Sequence, residues 1–553
     1  MLKTKFKFSL ALLATAATAL SGCGKKQEET EVEVPGPVSF WSCFGGAYTN
    51  VLETVVSDIS SSLELEINHT SKGDYDETKR AMDAAIALGP DYYPDIAQGY
   101  PDHFATYLSS DVLKPLDSYF TDAEIADYYS EYMNENKFYD NNGKKAKEHI
   151  YGIPFNKSTE LLGYNGVFVD YCATQDPSLA NIPATWDDWA VQGPKYNTIF
   201  KALMKQEYIQ DNKKLYHPGA MVFGKQNAEG KASDFEVFKW DDTQPETSTN
   251  EAQEVVLASD TSKVLLLDFR NVDPNESILM SWDATDNAFI TLVRQWKAQY
   301  TELPSSENKK IAKKRVGNVL FNSSENQSKV IDCLEFFHGL NKQKIFGIPK
   351  NLGGSYSSEA FALCRCMFMI CSSGGLSYNT ANWRHRFRVA PIPYKYADTK
   401  TVISQGANIC MTNKKNYTNA SKVIKAITTS EFQAQWCLET GYYPCSKSAV
   451  NTDAYQNFLK ETTYFPDASA TRIAYREGSK LNSDHYMSET EGWVKFVDPA
   501  FKGSSVLRQT VKGVLESVFS IGTTGVRNSI KNTLDSVESV PAITGETTIK
   551  FVH

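Results

Sequence analysis

The residues of this chain that could act on another molecule are aromatics, amides and carboxylates placed at the ends of apolar runs. Trp41, Cys43 and Phe44 lead into Gly45 and Gly46. Glycine permits close backbone approach, and its N–H can donate to a ligand oxygen; the same five residues equally suit a tight strand-to-helix turn over core aromatics. Asp74 opens a helical pattern, where it can accept from the first free backbone N–H groups or from a ligand hydroxyl. Tyr100 offers a ring face and Asp102 accepts hydroxyl hydrogens, although Asp102 also suits the positive end of a helix. Ser372-Ser373-Gly374-Gly375 ends an apolar run from Met367 to Cys371. Small polar groups and free N–H groups at such a tip suit hydroxyls or a phosphate, and Arg508 could reach an anion.

Other chemistries fit poorly. The ten cysteines include a cluster, Cys364, Cys366 and Cys371, but CxCx4C has no matching second half, so buried free thiols are expected rather than a zinc site. No metal and no cofactor is implied. The formal net charge of −9 argues against nucleic acid as the partner. The chain holds 29 Tyr and 9 Trp, a surplus that suits stacking on the apolar faces of sugars.

These side chains need a scaffold. Hydrophobic residues make up 41% of 553, enough for two or three globular cores. Pro37–Trp41 reads as a strand, Tyr48–Ser62 as an amphipathic helix, Leu63–Ile67 as an alternating strand, Thr78–Ala87 as a helix and Asp95–Ala97 as a strand. Strand–helix alternation implies a mostly parallel α/β sheet. Polar stretches over about 206–275 read as hairpins or an insertion, and helical spacing resumes at Asn287–Tyr300.

The N-terminus carries Lys3, Lys5 and Lys7, an apolar run from Phe8 to Leu20, then Leu20-Ser21-Gly22-Cys23. A basic segment, a short apolar segment and small residues before a cleavage point read as a secretory signal. The Leu-Ser-Gly-Cys ending resembles the lipobox of bacterial lipoproteins, which implies cleavage after residue 22, lipid on Cys23, and a protein held at the extracellular face of the membrane. Residues 23–36, polar and acidic, read as a flexible tether.

Several phrases then stand in order: VSFWSCFGG, PDIAQGYPDHFATYLSSDVLKPLD, YGIPFNKSTELLGYN, IPATWDDW, MSWDATDNAFITLVRQW, CMFMICSSGGLSYN, FRVAPIPY, ISQGANICM, TGYYPCSKSA and FVDPAFKGSS. Together, over about 37–520, they resemble the extracellular solute-binding proteins of ABC transporters, in the sugar and glycerol-phosphate group. The resemblance implies a two-lobe α/β fold with an interlobe cleft and crossing hinge strands. It implies a first lobe of 37–156, a second lobe of 157–386 with the 206–275 insertion, a return through the first lobe over 387–435, and 436–553 in the second lobe and terminal helices.

Carried over onto this sequence, the resemblance implies ligand contacts from Trp41, Phe44, Gly45, Gly46, Asp74, Gln98, Tyr100, Asp102, Asn156 and Ser158. On the second side it implies Trp282 as the stacking residue, with Asp283, Asn287, Ser372, Ser373, Gly374, Gln405, Gly406 and Tyr442. The implied partners are a carbohydrate and the permease subunits of an importer, for a monomer that performs no catalysis. Glycerol phosphate is the alternative ligand. A glycoside hydrolase would need an acid pair across a scissile bond, and no phrase here resembles a hydrolase signature. An adhesin would lack a ligand-gated cleft.

Overall fold

A computed structural model describes residues 33–142, 145–304, 315–380, 386–463 and 468–553. The secretory signal and Cys23 lie outside the described residues. From Glu33 onward the expected tether is already held to the domain. Val34 donates to the Lys415 carbonyl at 2.8 Å, and the Asn416 and Asn419 amides donate to the Gly36 carbonyl.

Two sheets organise the molecule. The smaller runs Ile67–Ser71, Val38–Ser42, Ile96–Gly99, Asn408–Met411, Ile153–Pro154 in spatial order. Its first three strands are parallel, and Asn408–Met411 returns antiparallel. The expected strand at Leu63–Ile67 is displaced. Helix Gly46–Leu63 runs through Leu63, Glu64 caps it in the left-handed conformation, and the strand starts at Ile67. Alternation alone cannot distinguish a helix's last turn from a strand's first residues.

The larger sheet runs Phe346–Gly347, Met280–Trp282, Phe368–Ser372, Ser158–Asn165, Thr401–Gln405, Val494–Phe496, with Phe387–Ala390 also on Ser158–Asn165. Thus 387–405, expected in the first lobe, pairs in the second; the chain re-enters the smaller sheet at Asn408. Ser158–Asn165 is buried along nearly its whole length, as a strand covered on both faces must be. The insertion is a hairpin, Gln206–Gln210 with Lys213–His217, followed by a five-stranded sheet in which Ala232–Phe238, Met221–Gln226, Val264–Asp268, Val255–Leu257 and Thr247–Thr249 lie side by side.

Separate cores sit behind the two sheets. One gathers Phe40, Leu52, Phe155, Ile409 and Trp436; the other gathers Leu161, Trp186, Trp282, Phe289 and Leu515. Three segments cross between them, at Asn156–Ser158, Gln405–Asn408 and Thr440–Tyr443. They share hydrogen bonds. Gln405 pairs with Ser158, Asn156 donates to the Ala407 carbonyl at 3.2 Å, and Tyr443 donates to the Lys157 carbonyl at 2.6 Å. Beneath them the Lys157 ammonium is buried against the Glu135 carboxylate and donates to the Gly406 carbonyl at 3.0 Å. The Asn408 amide donates to the same carboxylate at 2.7 Å. A buried charge pair of this kind is tolerable only when its remaining hydrogen-bonding capacity is filled.

Candidate binding cleft

The crossings leave a cleft of about 310 Å³ between the lobes. Its first wall is built on two helix starts. Asp74 caps helix Tyr75–Leu88, accepting from the Glu77 N–H at 2.7 Å, while Glu77 reaches back to the Asp74 N–H at 3.0 Å. Tyr100 precedes Pro101 and helix Pro101–Ser109. The two helix starts bring Tyr75 and Tyr100 together as a stacked pair, centroids 4.4 Å apart and planes at 28°. Asp102 accepts from the His103 N–H at 3.0 Å and lines the same wall. Burial pushes both phenols well above their ordinary range, so they stay neutral donors. Burial lowers the His103 imidazole against the opposing pull of Asp102, which favours the uncharged ring.

The second wall is a polar network. Arg508, on helix Ser504–Ser520, pairs with Asp286 at 2.7 Å and Asp498 at 3.5 Å, and donates to the Asn287 carbonyl oxygen. The Asn287 amide donates to Gln405 at 2.8 Å and to the buried Glu160 carboxyl at 3.1 Å. Burial alone would lower Arg508, but Asp286 and Asp498 override it and hold the guanidinium above its usual value. Burial raises Asp498 against the pull of Arg508 and Arg294. Burial also pushes Glu160 up to about 8, despite its hydrogen bonds from Trp282 and Asn287. Tyr356 stands exposed at the rim.

Of the residues expected to meet a ligand, Asp74, Tyr100, Asp102, Asn287, Gln405 and Gly406 line this cleft. The others lie elsewhere. Trp282 is fully buried, donating to Glu160 at 2.9 Å and lying near-parallel to Trp186; it is a core residue, not a stacking platform. Phe44 packs against Tyr48, Phe155, Trp436 and Tyr442 in the first-lobe core. Gly45 and Gly46 open helix Gly46–Leu63, and Trp41 is covered by the Lys72 ammonium at 3.8 Å. Gln98 is buried, accepting from the Cys43 N–H and donating to Asn156; Asn156 donates in turn to the Tyr75 hydroxyl at 3.3 Å. These two support the cleft from behind. Ser158 is buried in its strand, and Asp283 accepts from the Ser357 N–H at 2.7 Å. The Ser372–Gly374 tip is already engaged: Ser372 accepts from the Gly374 N–H, and the Gly374 carbonyl accepts from Tyr48 at 2.8 Å. Tyr442 lies against Gly374 and shares a 3.2 Å hydroxyl contact with Tyr75.

Tyr75, Glu135, Asp286, Asp498, Ser504 and Arg508 also line the cleft. Asp286 reads locally as a helix cap and Asp498 as part of a packing phrase, so only their convergence on Arg508 reveals the wall. Among the described residues, no group of His, Cys, Asp and Glu side chains is placed to hold a metal ion. Nine cysteines there are free and buried.

Two α/β lobes, three stitched crossings and a polar–aromatic cleft between them define the architecture of a two-lobe binding protein that can close by hinge motion. The family identity follows from the sequence itself. Residues 61–460 match the bacterial extracellular solute-binding protein family, and the chain belongs to it. No curated protein sequence matches the chain. Solved structures share the fold at low identity. UgpB from Mycobacterium tuberculosis, in complex with glycerophosphocholine, is 17% identical with a TM-score of 0.59, covering 92% of this chain and 98% of its own. The GacH receptor of Streptomyces glaucescens, solved unliganded and with acarbose, is 12% identical with a TM-score of 0.58 over 92% and 98%. Lmo0181 from Listeria monocytogenes, in complex with cycloalternan, is 14% identical with a TM-score of 0.58 over 92% and 99%.

Proposed function

We propose that this protein is the lipid-anchored capture component of an ABC importer and that its cleft takes a mono- or oligosaccharide. The observation that carries the reading is the Tyr75–Tyr100 pair flanked by Asp74 and Asp102. Ring faces cover the apolar C–H face of a sugar, and carboxylates accept its hydroxyl hydrogens. The carbohydrate complexes of fold neighbours, with acarbose and cycloalternan, support it.

Glycerol phosphate is the weaker reading. The one arginine of the lining is committed to Asp286 and Asp498, and the Ser372–Gly374 tip is occupied by Tyr48. Capture needs no covalent step. The open lobes admit ligand, and the ligand's higher affinity for the closed form shifts the population toward it. The closed form then presents the surface that the permease reads. Cys23 tethers the protein to the outer face of the membrane.

A thermal-shift screen of the mature protein tests the ligand class. Maltose, maltotriose, cellobiose, polyols and glycerol phosphate are titrated separately. A sugar should raise the midpoint in proportion to the logarithm of its concentration above the dissociation constant. A shift with glycerol phosphate alone would overturn the carbohydrate reading. Cys23→Ala should abolish incorporation of a labelled fatty acid; persistent labelling would refute the anchor.

A further inference from the structure

Glu160 is the one acidic residue on strand Ser158–Asn165, and it is completely buried. Its Oε1 accepts two hydrogen bonds, from the Trp282 indole at 2.9 Å and the Asn287 amide at 3.1 Å. Its Oε2 is buried with no hydrogen-bond partner among the described residues. Asn287 then faces the cleft with both ends occupied: the amide donates to Gln405, and the oxygen accepts from Arg508. Arg508 can only donate, so it takes the Asn287 oxygen and leaves the Asn287 amide in need of acceptors. With Oε1 of Glu160 accepting from the amide, only one orientation satisfies the set.

We infer that Glu160 is a positioning residue for the cleft: its Oε1 fixes the amide of Asn287 and, through it, aligns Gln405 and Arg508 toward the ligand. This rests on the reading of the cleft as the ligand site. It also gives the wall a pH dependence. The groups that face Glu160 are Asp286 and Arg508 from the second wall, Cys371 from the neighbouring strand, and Tyr486. Desolvation dominates, the two hydrogen bonds and Arg508 oppose it, and Asp286 adds to it. Glu160 is therefore an uncharged acid at neutral pH and ionises in mildly alkaline solution. The new charge adds to those of Asp286 and Asp498 around a single guanidinium and unbalances the network that Asn287 holds in place.

The test uses the full mature protein and two variants. Glu160→Gln keeps an acceptor for Trp282 and Asn287 but cannot ionise; Glu160→Leu keeps the volume and removes the acceptor. The first readout needs no ligand. The indole N–H resonance of Trp282, assigned with Trp282→Phe, should titrate with a midpoint near 8 in the wild type and stay fixed in Glu160→Gln. The second readout is maltotriose affinity by calorimetry between pH 6 and pH 9. Wild-type affinity should fall about tenfold across that window, Glu160→Gln should hold a flat profile at the wild-type neutral value, and Glu160→Leu should be weakened at every pH. An indole resonance that does not move, or a Glu160→Gln variant as weak at neutral pH as Glu160→Leu, would overturn the proposal. If the indole titrates as expected and maltotriose binds none of the proteins, the carbohydrate reading fails for that sugar while the Glu160 switch stands on the ligand-free titration.

Discussion

The two walls of the cleft are built on opposite principles. The first-lobe wall sets two tyrosines and two aspartates on helix starts; the aspartates are held by local hydrogen bonds and the tyrosines by stacking on each other. The second-lobe wall draws Glu160, Asp286, Asn287, Gln405, Asp498 and Arg508 from five different stretches of chain into one network. The first wall offers contact area that costs the fold little to lose. The second is part of the fold, and its members sustain one another.

Removing Arg508 should break the contrast most severely. Arg508→Ala leaves Asp286 and Asp498 without their cation; the network is partly buried, so the loss should fall between that of an exposed pair and the roughly 3–5 kcal/mol of a fully buried one, at about 2 kcal/mol. Urea unfolding at pH 7 measures this. A loss below about 1 kcal/mol would show that the second wall is as dispensable as the first.

Glu160→Gln sharpens the same point through pH. An acid raised on folding contributes stability below its ordinary range and loses it as pH rises to its folded value, here about 8. The wild type should weaken relative to the variant by about 1.4 kcal/mol per pH unit. Between pH 5 and pH 7.5 the gap should widen by about 3 kcal/mol. Parallel stability profiles across that range would refute the buried neutral acid.

Tyr100→Ala should behave in the opposite way. Sugar binding should fall by about 1–3 kcal/mol through lost area and stacking, with the unfolding midpoint almost unchanged. Calorimetry beside denaturation separates the two effects, and an equal loss in both would erase the distinction between the walls. The smallest effect is local. Asp74→Ala removes a helix cap and should cost about 1 kcal/mol of stability, read in the same denaturation experiment; no loss at all would mean the cap is idle.

The first wall was also the more legible in the sequence. Asp74 and Tyr100–Asp102 stand at helix starts whose signals are local: an N-cap carboxylate with Glu77 three residues on, and a proline at the first helical position. Trp282 shows the limit. A tryptophan at a strand end points to one face or the other, and the strand's neighbours, not its own sequence, decide which. Here Trp186 and Glu160 claim it for the core. Phe44, in the turn after strand Val38–Ser42, is likewise claimed by distant neighbours, Phe155 and Trp436. The lobe of 387–405 is not legible locally, because its strands are short and their partner, Ser158–Asn165, is more than 200 residues away in sequence. Glu160 stands among Ser158, Thr159, Leu161 and Leu162, a half-polar run, and only the burial of the whole strand makes its carboxylate costly unless partnered.

Gly406 carries a mechanical consequence. Its backbone is left-handed, φ +109°, and a β-carbon there would lie 1.9 Å from the Asn156 carbonyl oxygen. Two of the crossing segments are thus pressed together at a point where only hydrogen fits. Hydrogen bonds stitch them to each other and to the third crossing, so the three segments are coupled at the place where a hinge closure would turn. A methyl group at 406 would act as a wedge at the pivot of a long lever, and its displacement would be magnified at the rim, where Tyr356 and Asp74 line the gap.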